Sequence, residues 1–540
     1  MGGRLDAVII GAGLGGLTAA ARLLHEGLSV LVLEAEAHPG GTAYLYRRRG
    51  FLFPMGPLGF SSPQLVKDAL NDAGITRELE TRRVHYQLTA FGMRVPLSLP
   101  YREMITRLSE LFPDEEAGIS RFFGHMRNLS RLQERLAGEG ASRTRRGEAV
   151  DAAAYLSGLI KDWRLRRILG GMGSREPYSD LALLSSMWSL LCERGIHYPL
   201  MGMHGLCDLL AGRLGWNPSQ AHAEGSGGRC DPLPIRTAEK PATFASGGSP
   251  AGRLSLNTRV AGITVDRGKA SGVLLEDGTR IEAGAVISNA DFKTTFLHLL
   301  PREAVPEGLR RDVFSARLTP SNLQVCLGLD ESRVDLSAYG EASRIIHRRQ
   351  EGEGPPAGGP DWGAPEIDPR SLAGEEMEIA LLSRDDPSLA PPGHSVMVIR
   401  TSAPHRHFAR LRPRRGRRSR GYFAYKTALA GVLIEEASNI APGLADAVVY
   451  MDVATPLTFE ERGGRSEGAV AGWSWERKAG KGREEKELVR TPIAGLYMAG
   501  HQAFSLLALG GVPSAMLSGL KAAAYLLAGA GPVDEMRIPV

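Results

Sequence analysis

Cysteine is scarce in this sequence, with only four in 540 residues. Cys192, Cys207, Cys230 and Cys326 stand far apart, and no pair has the C-x-x-C spacing of a zinc or redox site. Scattered single cysteines indicate reduced thiols in a reducing compartment, so we expect no disulfide framework and no metal site. The sequence also contains no H-E-x-x-H motif and no Ser/His/Asp arrangement, and it therefore offers no catalytic dyad.

Long uninterrupted apolar runs are also missing. Residues 503–531 carry Lys521 as their single charge, but Gly510, Gly511 and Pro513 divide them and leave a helix too short to cross a bilayer. At the N-terminus, the apolar residues are punctuated by glycines and continue into a second strand, unlike a signal peptide. We therefore expect a cytoplasmic protein, with peripheral membrane contact as an option.

The positive charge has a local origin. The chain has a net charge of +5, but residues 405–420 contain eight arginines and no acid, and the remainder would carry −3. Few aromatic residues lie among these arginines, so stacking on nucleic-acid bases is not indicated. Two interpretations stay open for this segment: contact with anionic lipid headgroups, or a solvated surface loop.

Residues 6–42 carry the strongest pattern in the chain. A buried-strand run, 7–10, leads into Gly11-Ala-Gly-Leu-Gly-Gly16, a helical pattern follows, and a second apolar run ends at Glu34. Gly11 permits a tight turn, Gly13 lets a pyrophosphate approach the backbone, and Gly16 lets helix and strand pack closely. The Glu34 carboxylate is placed to accept hydrogen bonds from a ribose, which disfavours NADP. The alternative, a glycine-rich turn that binds nothing, does not explain the ordered strand, helix, strand and acid.

With Gly40-Gly41-Thr42 following Glu34, the chain resembles the phytoene desaturase-like flavoproteins of the wider flavin amine oxidase superfamily. This group includes carotenoid isomerases and retinol-saturase-like enzymes. Further similar segments are Gly56-Pro57, residues 454–473, and Gly510 to Ser514. Two positions depart from the group's pattern, because Pro54 and His501 stand where relatives usually have an acid.

The resemblance implies an α/β fold with a Rossmann-like FAD-binding domain, built on a parallel sheet, and a discontinuous α+β substrate domain. The expected FAD-binding domain comprises residues 1–80, 201–295 and 466–540, with a low-complexity insertion at 216–253. Residues 81–200 and 296–465 would form the substrate domain. The implied FAD-binding residues are Gly11, Gly13, Leu14, Gly15, Gly16, Glu34, Ala35, Gly40, Gly41, Thr42, Gly56, Pro57, Val260, Asn289, Ala290, Gly500, His501, Gly511, Val512 and Pro513.

By the same resemblance, Val260 should lie against the adenine, and the helix that begins near Gly511 should point at the flavin N1/C2=O edge. The expected activity is FAD-dependent desaturation, saturation or flavin-assisted isomerisation of a long hydrophobic isoprenoid. The cofactor would perform the difficult step, so no catalytic side chain is assigned. His197 and His204 could shuttle a proton, but a structural role suits each better.

Two other functions stay open. One is an amine oxidase, which would need an aromatic cage beside the flavin, for which Trp473, Trp475 and Tyr497 are the nearby candidates. The other is a non-enzymatic carrier of prenylated proteins, like the GDP-dissociation inhibitors of this fold, which lack flavin. The intact glycines and Glu34 argue against the carrier. The expected partner is a hydrophobic small molecule, and the sequence leaves the oligomeric state open.

Overall fold

The computed structural model describes residues 4–138, 151–171, 181–218, 252–349, 359–412, 419–474, 486–505, 509–534, 536 and 538. The strands are β1 Leu5–Ile10, β2 Val30–Leu33, β3 Leu45–Arg48, β4 Phe51–Pro54, β5 Phe60–Ser61, β6 Thr81–Val84, β7 Tyr86–Ala90, β8 Met93–Pro96, β9 Ile196–Pro199, β10 Gly252–Ser255, β11 Val260–Asp266, β12 Lys269–Leu275, β13 Arg280–Ser288, β14 Ser321–Asp330, β15 Arg344–His347, β16 Met377–Leu381, β17 His394–Ala403, β18 Val448–Ala454, β19 Lys486–Glu487, β20 Leu496–Met498 and β21 Phe504–Ser505. The α-helices are Leu14–His25, Pro63–Asp72, Tyr101–Leu111, Glu116–Gly138, Ala152–Leu159, Trp163–Gly171, Leu181–Trp188, Gly202–Ala211, Phe292–Thr294, Glu307–Ser315, His405–Ala409, Arg420–Ser438, Leu444–Ala447, Pro456–Gly463 and Gly511–Leu527.

The first large sheet has the strand order β10-β2-β1-β13-β12-β11, with β20 beside β13. Strands β10, β2, β1 and β20 run parallel to their neighbours, and β13 joins this parallel part to an antiparallel part formed with β12 and β11. Residues 7–10 and 30–33 are all buried, as expected for strands covered on both faces. The parallel sheet predicted from the sequence is confirmed.

The second large sheet has the order β18-β14-β17-β16-β15-β7-β8 and is antiparallel except between β15 and β7. Along β14, Leu323, Val325, Leu327 and Leu329 belong to the same buried apolar cluster as Leu429 and Leu433 of the helix Arg420–Ser438. The residues that alternate with them on β14 face the other side, towards the β3–β4 hairpin (Leu45 to Pro54). This second face carries Gln324 and Cys326, which matter for the site below.

Three local predictions differ from the structure. The apolar pattern of residues 149–169 predicts one helix, but the structure has two. Between them, Glu115 Oε1 accepts hydrogen bonds from the backbone N–H groups of Lys161 and Asp162, both at 2.7 Å. The apolar run over residues 491–501 predicts one strand ending at a glycine, but only β20, Leu496–Met498, is a strand. The first part of this run is a turn, in which Thr491 Oγ1 accepts from Ile493 N at 3.1 Å and donates to Leu496 O at 2.9 Å.

The third difference concerns the insertion predicted for residues 216–253. Gly252 and Arg253 belong to β10, which pairs in parallel with β2. Most of the insertion, residues 219–251, lies outside the described residues. Over the described parts of the chain, no helix combines the length and apolarity needed to span a bilayer.

Candidate flavin site

The glycine loop lies between β1 and the helix Leu14–His25. Gly11 has a φ of +90°, which a side-chain-bearing residue would adopt only under strain. No side chain caps the helix at Gly13, so its first N–H groups are not satisfied by a cap. Such a helix start binds anions through its free N–H groups and its partial positive charge.

Asn289 brings the end of β13 against this loop. Its Nδ2 donates to Gly11 O at 3.3 Å. A Cβ at Gly13 would lie 2.8 Å from Nδ2, and a Cβ at Gly15 would lie 2.6 Å from Oδ1. A Cβ at Gly16 would lie 2.2 Å from Gly11 O. The three positions therefore require glycine because of direct backbone and amide contact.

Glu34 follows β2 and is 9% exposed. Its carboxylate accepts hydrogen bonds from the N–H of Ala12 at 2.7 Å and of Glu36 at 3.0 Å. Burial raises the pKa of Glu34, while these backbone N–H groups act in the opposite direction. The carboxylate thus fixes the glycine loop, and its remaining lone pairs can accept further hydrogen bonds.

Several other predicted residues lie close to this loop. Gly40 N donates to Ala12 O at 2.7 Å, and a Cβ at Gly41 would be 3.3 Å from Gly13 Cα. The N–H of Thr258 donates to Glu34 O at 2.7 Å, which fixes the backbone where Ala35 begins. Val260 follows Thr258 by two residues. Ala290 directly follows Asn289. These contacts unite the segments around residues 11–16, 34–42, 258–260 and 289–290.

The C-terminal helix, Gly511–Leu527, crosses the glycine-loop helix. A Cβ at Gly519 would lie 2.2 Å from Gly15 O, so the crossing needs glycine on both helices. Gly500, which follows β20, has its N–H bonded to Ser518 Oγ at 2.8 Å. The helix begins with Gly511, Val512 and Pro513, and the last two are buried.

Gly56 and Pro57 are tied to the second large sheet. Gly56 lies against Thr42, since a Cβ at Gly56 would be 2.5 Å from Thr42 O. Three carbonyl groups at alternate positions of this segment accept hydrogen bonds from buried or half-buried side chains of β14, β17 and β15. The bonds run from Gln324 to Pro54 at 3.0 Å, from Arg400 to Gly56 at 2.5 Å, and from Arg344 to Leu58 at 3.0 Å.

His501 is enclosed beside the loop of residues 465–472. A Cβ at Gly472 would lie 2.8 Å from His501 Nε2, and this nitrogen is buried without a hydrogen-bond partner in the described structure. Burial, and secondarily the charge of Arg465, lowers the pKa of His501 to about 3. The imidazole is therefore neutral at physiological pH and free to hydrogen-bond a ligand.

Most of the other candidate residues form hydrogen bonds within the protein. Trp473 Nε1 donates to Gln502 O at 2.9 Å, and Tyr497 OH donates to Ala530 O at 2.9 Å. The two residues are 4% and 6% exposed and are packed in the core, so neither lines an open aromatic cage. Trp475 lies outside the described residues. His197 hydrogen-bonds to Thr81 and to Arg194 O. His204 Nδ1 is buried without a partner in the described structure.

Cys192, Cys207 and Cys326 are buried and free, and Cys230 lies outside the described structure. Within the described ranges, no group of three potential ligands could hold a metal ion.

Sequence reasoning missed four contributors: Arg400, Arg465, Ser518 and Gly519. None belongs to a recognisable spacing pattern, and each is brought to the site only by the crossing of distant elements. Arg465 had the strongest signal available, since it stands among the glycines of residues 463–472.

The arrangement fits FAD. An uncapped helix N-terminus can take the pyrophosphate, the Glu34 carboxylate can take the ribose, and the unpartnered His501 nitrogen marks a buried polar position for a ligand. Bound FAD would supply the oxidising or reducing equivalent, and the residues named above would hold and orient it.

Comparisons with known proteins agree with this geometry. The family model "Flavin containing amine oxidoreductase" matches residues 14–527. Prolycopene isomerase 2 of an Oncidium hybrid cultivar is 27% identical over 532 residues, covering 92% of this chain and 80% of that protein. A lycopene-forming phytoene desaturase of a Paracoccus species is 26% identical over 429 residues, covering 74% and 75% of the two chains.

Among solved structures, a redesigned putrescine oxidase shares the fold, with a TM-score of 0.57 at 16% identity, over 97% of this chain and 99% of the other. The family match spans most of the chain, from the start of the glycine-loop helix to the end of the C-terminal helix. The chain therefore belongs to the flavin-containing amine oxidoreductase family, and it is an oxidoreductase whose cofactor is FAD.

Proposed function

We propose that this oxidoreductase acts on a long isoprenoid polyene, with double-bond isomerisation as its leading activity. The observation that carries this proposal is the similarity to prolycopene isomerases over 92% of the chain, compared with 74% for the Paracoccus phytoene desaturase. Desaturation is the second candidate, because that relative is similar at nearly the same identity.

One side of the Gly56–Pro57 segment is backed by apolar residues. Beside the Gly56–Pro57 segment, the β3–β4 hairpin and the second sheet enclose Phe51, Phe53 and Val398 in one buried apolar cluster. The ring of Phe53 stacks on Tyr450 at 5.5 Å between centroids. Since Phe53 and Val398 are 0% exposed, they are core packing behind the segment, and the polyene proposal rests on the relatives. The buried rings of Trp473 and Tyr497 favour a polyene over an amine, because neither ring is open to form a cage.

In this proposal, residues 1–80, 201–295 and 466–540 bind FAD, and residues 81–200 and 296–465 bind the substrate. The FAD contacts come from the glycine loop, from Glu34 and Ala35, from Gly40 to Thr42, from Gly56 and Pro57, and from the segments at Val260, Asn289, Gly500 and Gly511. The protein needs no catalytic dyad, because its part is to orient the polyene against the flavin and to exclude water.

The test is anaerobic turnover of a poly-cis polyene, followed by absorbance and by chromatography of the products. An isomerase yields a product of unchanged mass, with no lasting loss of the 450-nm band. A desaturase bleaches that band stoichiometrically and yields a product lighter by two hydrogens. Peroxide release from putrescine or benzylamine, without polyene turnover, would refute the proposal in favour of amine oxidation. A purified protein that binds no flavin would favour the alternative of a non-enzymatic carrier of prenylated proteins.

We also propose that the arginine-rich segment at residues 405–420 contacts an anionic membrane surface. Phe423, just beyond it, is 50% exposed and lies beside Lys426. Within the segment, however, Arg410 donates to Gly363 O and Arg412 contacts Glu460, so only part of the charge is available. Residues 413–418 lie outside the described structure.

Sedimentation with phosphatidylglycerol vesicles tests the contact between this segment and a membrane. Binding that vanishes with neutral vesicles and in Phe423→Ser supports it, and no binding refutes it.

A further inference from the structure

Arg465 reaches from one part of the site to another. It follows the helix Pro456–Gly463, and its Nη1 donates to Ala469 O at 3.2 Å and to Val470 O at 2.7 Å. Its Nη2 donates to Thr42 Oγ1. The guanidinium therefore lies at the turn that follows Gly40 and Gly41, next to the glycine loop.

Among the described residues, no carboxylate forms an ion pair with Arg465, since no acidic oxygen there lies within 4.0 Å of its guanidinium. Asp291 is the acid that acts on it electrostatically, but the Asp291 carboxylate already accepts hydrogen bonds from Ser466 and from Thr294 N. Arg400 adds a like charge. A desolvated charge costs less with an opposite charge beside it, and Asp291 is already hydrogen-bonded elsewhere, so a ligand anion would stabilise the guanidinium.

His501 supplies a second, independent observation. Its buried Nε2 has no hydrogen-bond partner within the described residues, and the charge of Arg465 lies close enough to lower the pKa of the ring. Arg465 and His501 each retain some accessible surface although the surrounding protein desolvates them strongly. Both side chains are therefore still accessible to a ligand.

The surroundings of Arg465 and His501 indicate which part of FAD they would bind. Thr42 follows Gly41, which packs on Gly13 at the start of the glycine-loop helix. His501 follows Gly500, and a Cβ at Gly500 would lie 3.1 Å from Asn289 Oδ1, whose amide contacts the same loop. The pair therefore lies beside the loop at the helix N-terminus, and Thr42 also packs against Gly56, whose carbonyl Arg400 binds. The pyrophosphate is the anionic part of FAD, so it is the group that the charge of Arg465 would attract.

We propose that Arg465 and His501 form an anion subsite for the FAD pyrophosphate, with Arg465 as its charge partner and His501 as a neutral hydrogen-bonding group. The subsite rests on the FAD site proposed above and adds to it two residues that are distant from the glycine loop in the sequence. The loop after the helix Pro456–Gly463 then closes over the pyrophosphate, opposite the uncapped helix N-terminus.

The experiment titrates apoprotein separately with FAD and with ADP, which shares the pyrophosphate but has no flavin. The variants are Arg465→Met, Arg465→Lys and the matched control Arg462→Met, whose arginine is exposed at the end of the same helix. We expect Arg465→Met to weaken both FAD and ADP by about 10- to 100-fold, since a charge-assisted hydrogen bond to phosphate is lost. Arg465→Lys should recover part of this loss, and Arg462→Met should bind both ligands as wild type does.

Two readouts separate the subsite from a structural role. We expect the melting temperature of Arg465→Met apoprotein to stay within a few degrees of wild type, because removal of a desolvated charge offsets the lost hydrogen bonds to Ala469, Val470 and Thr42. Its upward shift with saturating ADP should become smaller. Unchanged ADP affinity, or a weaker FAD affinity accompanied by a shifted flavin midpoint potential, would overturn the subsite and place the guanidinium at the flavin ring. Failure of wild type to bind either ligand would instead refute the FAD site itself.

Discussion

The crossing of the glycine-loop helix and the C-terminal helix gives a sharp test of the site. Gly519 lies inside the C-terminal helix, where alanine is intrinsically preferred by about 1 kcal/mol. At this position, however, the new Cβ would lie 2.2 Å from Gly15 O, whereas ordinary van der Waals contact begins near 3.4 Å. The obstructing atom belongs to the backbone, so the two helices themselves must separate by about 1 Å.

Overpacking of this kind costs about 1–3 kcal/mol, and a backbone obstacle belongs at the upper end of that range or beyond it. After the gain in helix propensity, we expect Gly519→Ala to lower the free energy of unfolding by about 2 kcal/mol. The separation also moves the glycine-loop helix Leu14–His25, whose uncapped N-terminus faces the cofactor site. The variant should therefore retain less FAD through gel filtration.

The matched control is Gly431→Ala, in the interior of the helix Arg420–Ser438. A Cβ there meets nothing within 4 Å, and the position is exposed. This substitution should stabilise the protein by about 0.5–1 kcal/mol and leave the flavin content unchanged. Urea unfolding and the ratio of absorbance at 450 and 280 nm measure both effects. Equal stabilisation by the two substitutions would refute the close helix crossing.

Three further predictions follow from the same contacts. Glu34→Gln keeps the side-chain shape but loses the charge that accepts from Ala12 N, and we expect about 10- to 100-fold weaker FAD affinity by fluorescence titration; wild-type affinity would mean that the carboxylate is not used. His501 has a pKa of about 3 in the folded protein and about 6.5 in the unfolded chain. Between these pH values the unfolded chain binds one more proton than the folded protein does. The stability contributed by the neutral ring is therefore fully present above pH 6.5 and is lost as the pH falls. Between pH 7.5 and pH 5, wild type should lose about 2 kcal/mol relative to His501→Asn in urea unfolding, and parallel pH profiles would contradict the buried neutral ring. Asp385→Asn removes the partner of Arg344, which is 0% exposed and 2.7 Å away, and should cost about 3–5 kcal/mol, whereas Asp534→Asn, at an exposed position, should change the unfolding midpoint little.

The sequence alone determined the parts of this protein that depend on local spacing. Glycines at 11, 13 and 16 between an apolar strand and a helix, followed by Glu34, specify a dinucleotide site because each position has a steric or electrostatic requirement over a few residues. The apolar runs at 7–10 and 30–33 likewise specified buried parallel strands, and the structure shows them.

Tertiary structure decided the contacts made between distant segments. Arg465 meets Thr42, Arg400 meets Gly56, and Gly519 meets Gly15 only because strands and helices far apart in the chain cross at one place. The break between the helices Ala152–Leu159 and Trp163–Gly171 has the same origin, since its hydrogen-bond acceptor is Glu115 on another element. Hydrophobic periodicity records which face of an element is buried, but not which distant side chain satisfies a backbone group or closes a cofactor site. Those partners depend on how the elements pack together, and that is set by the fold as a whole.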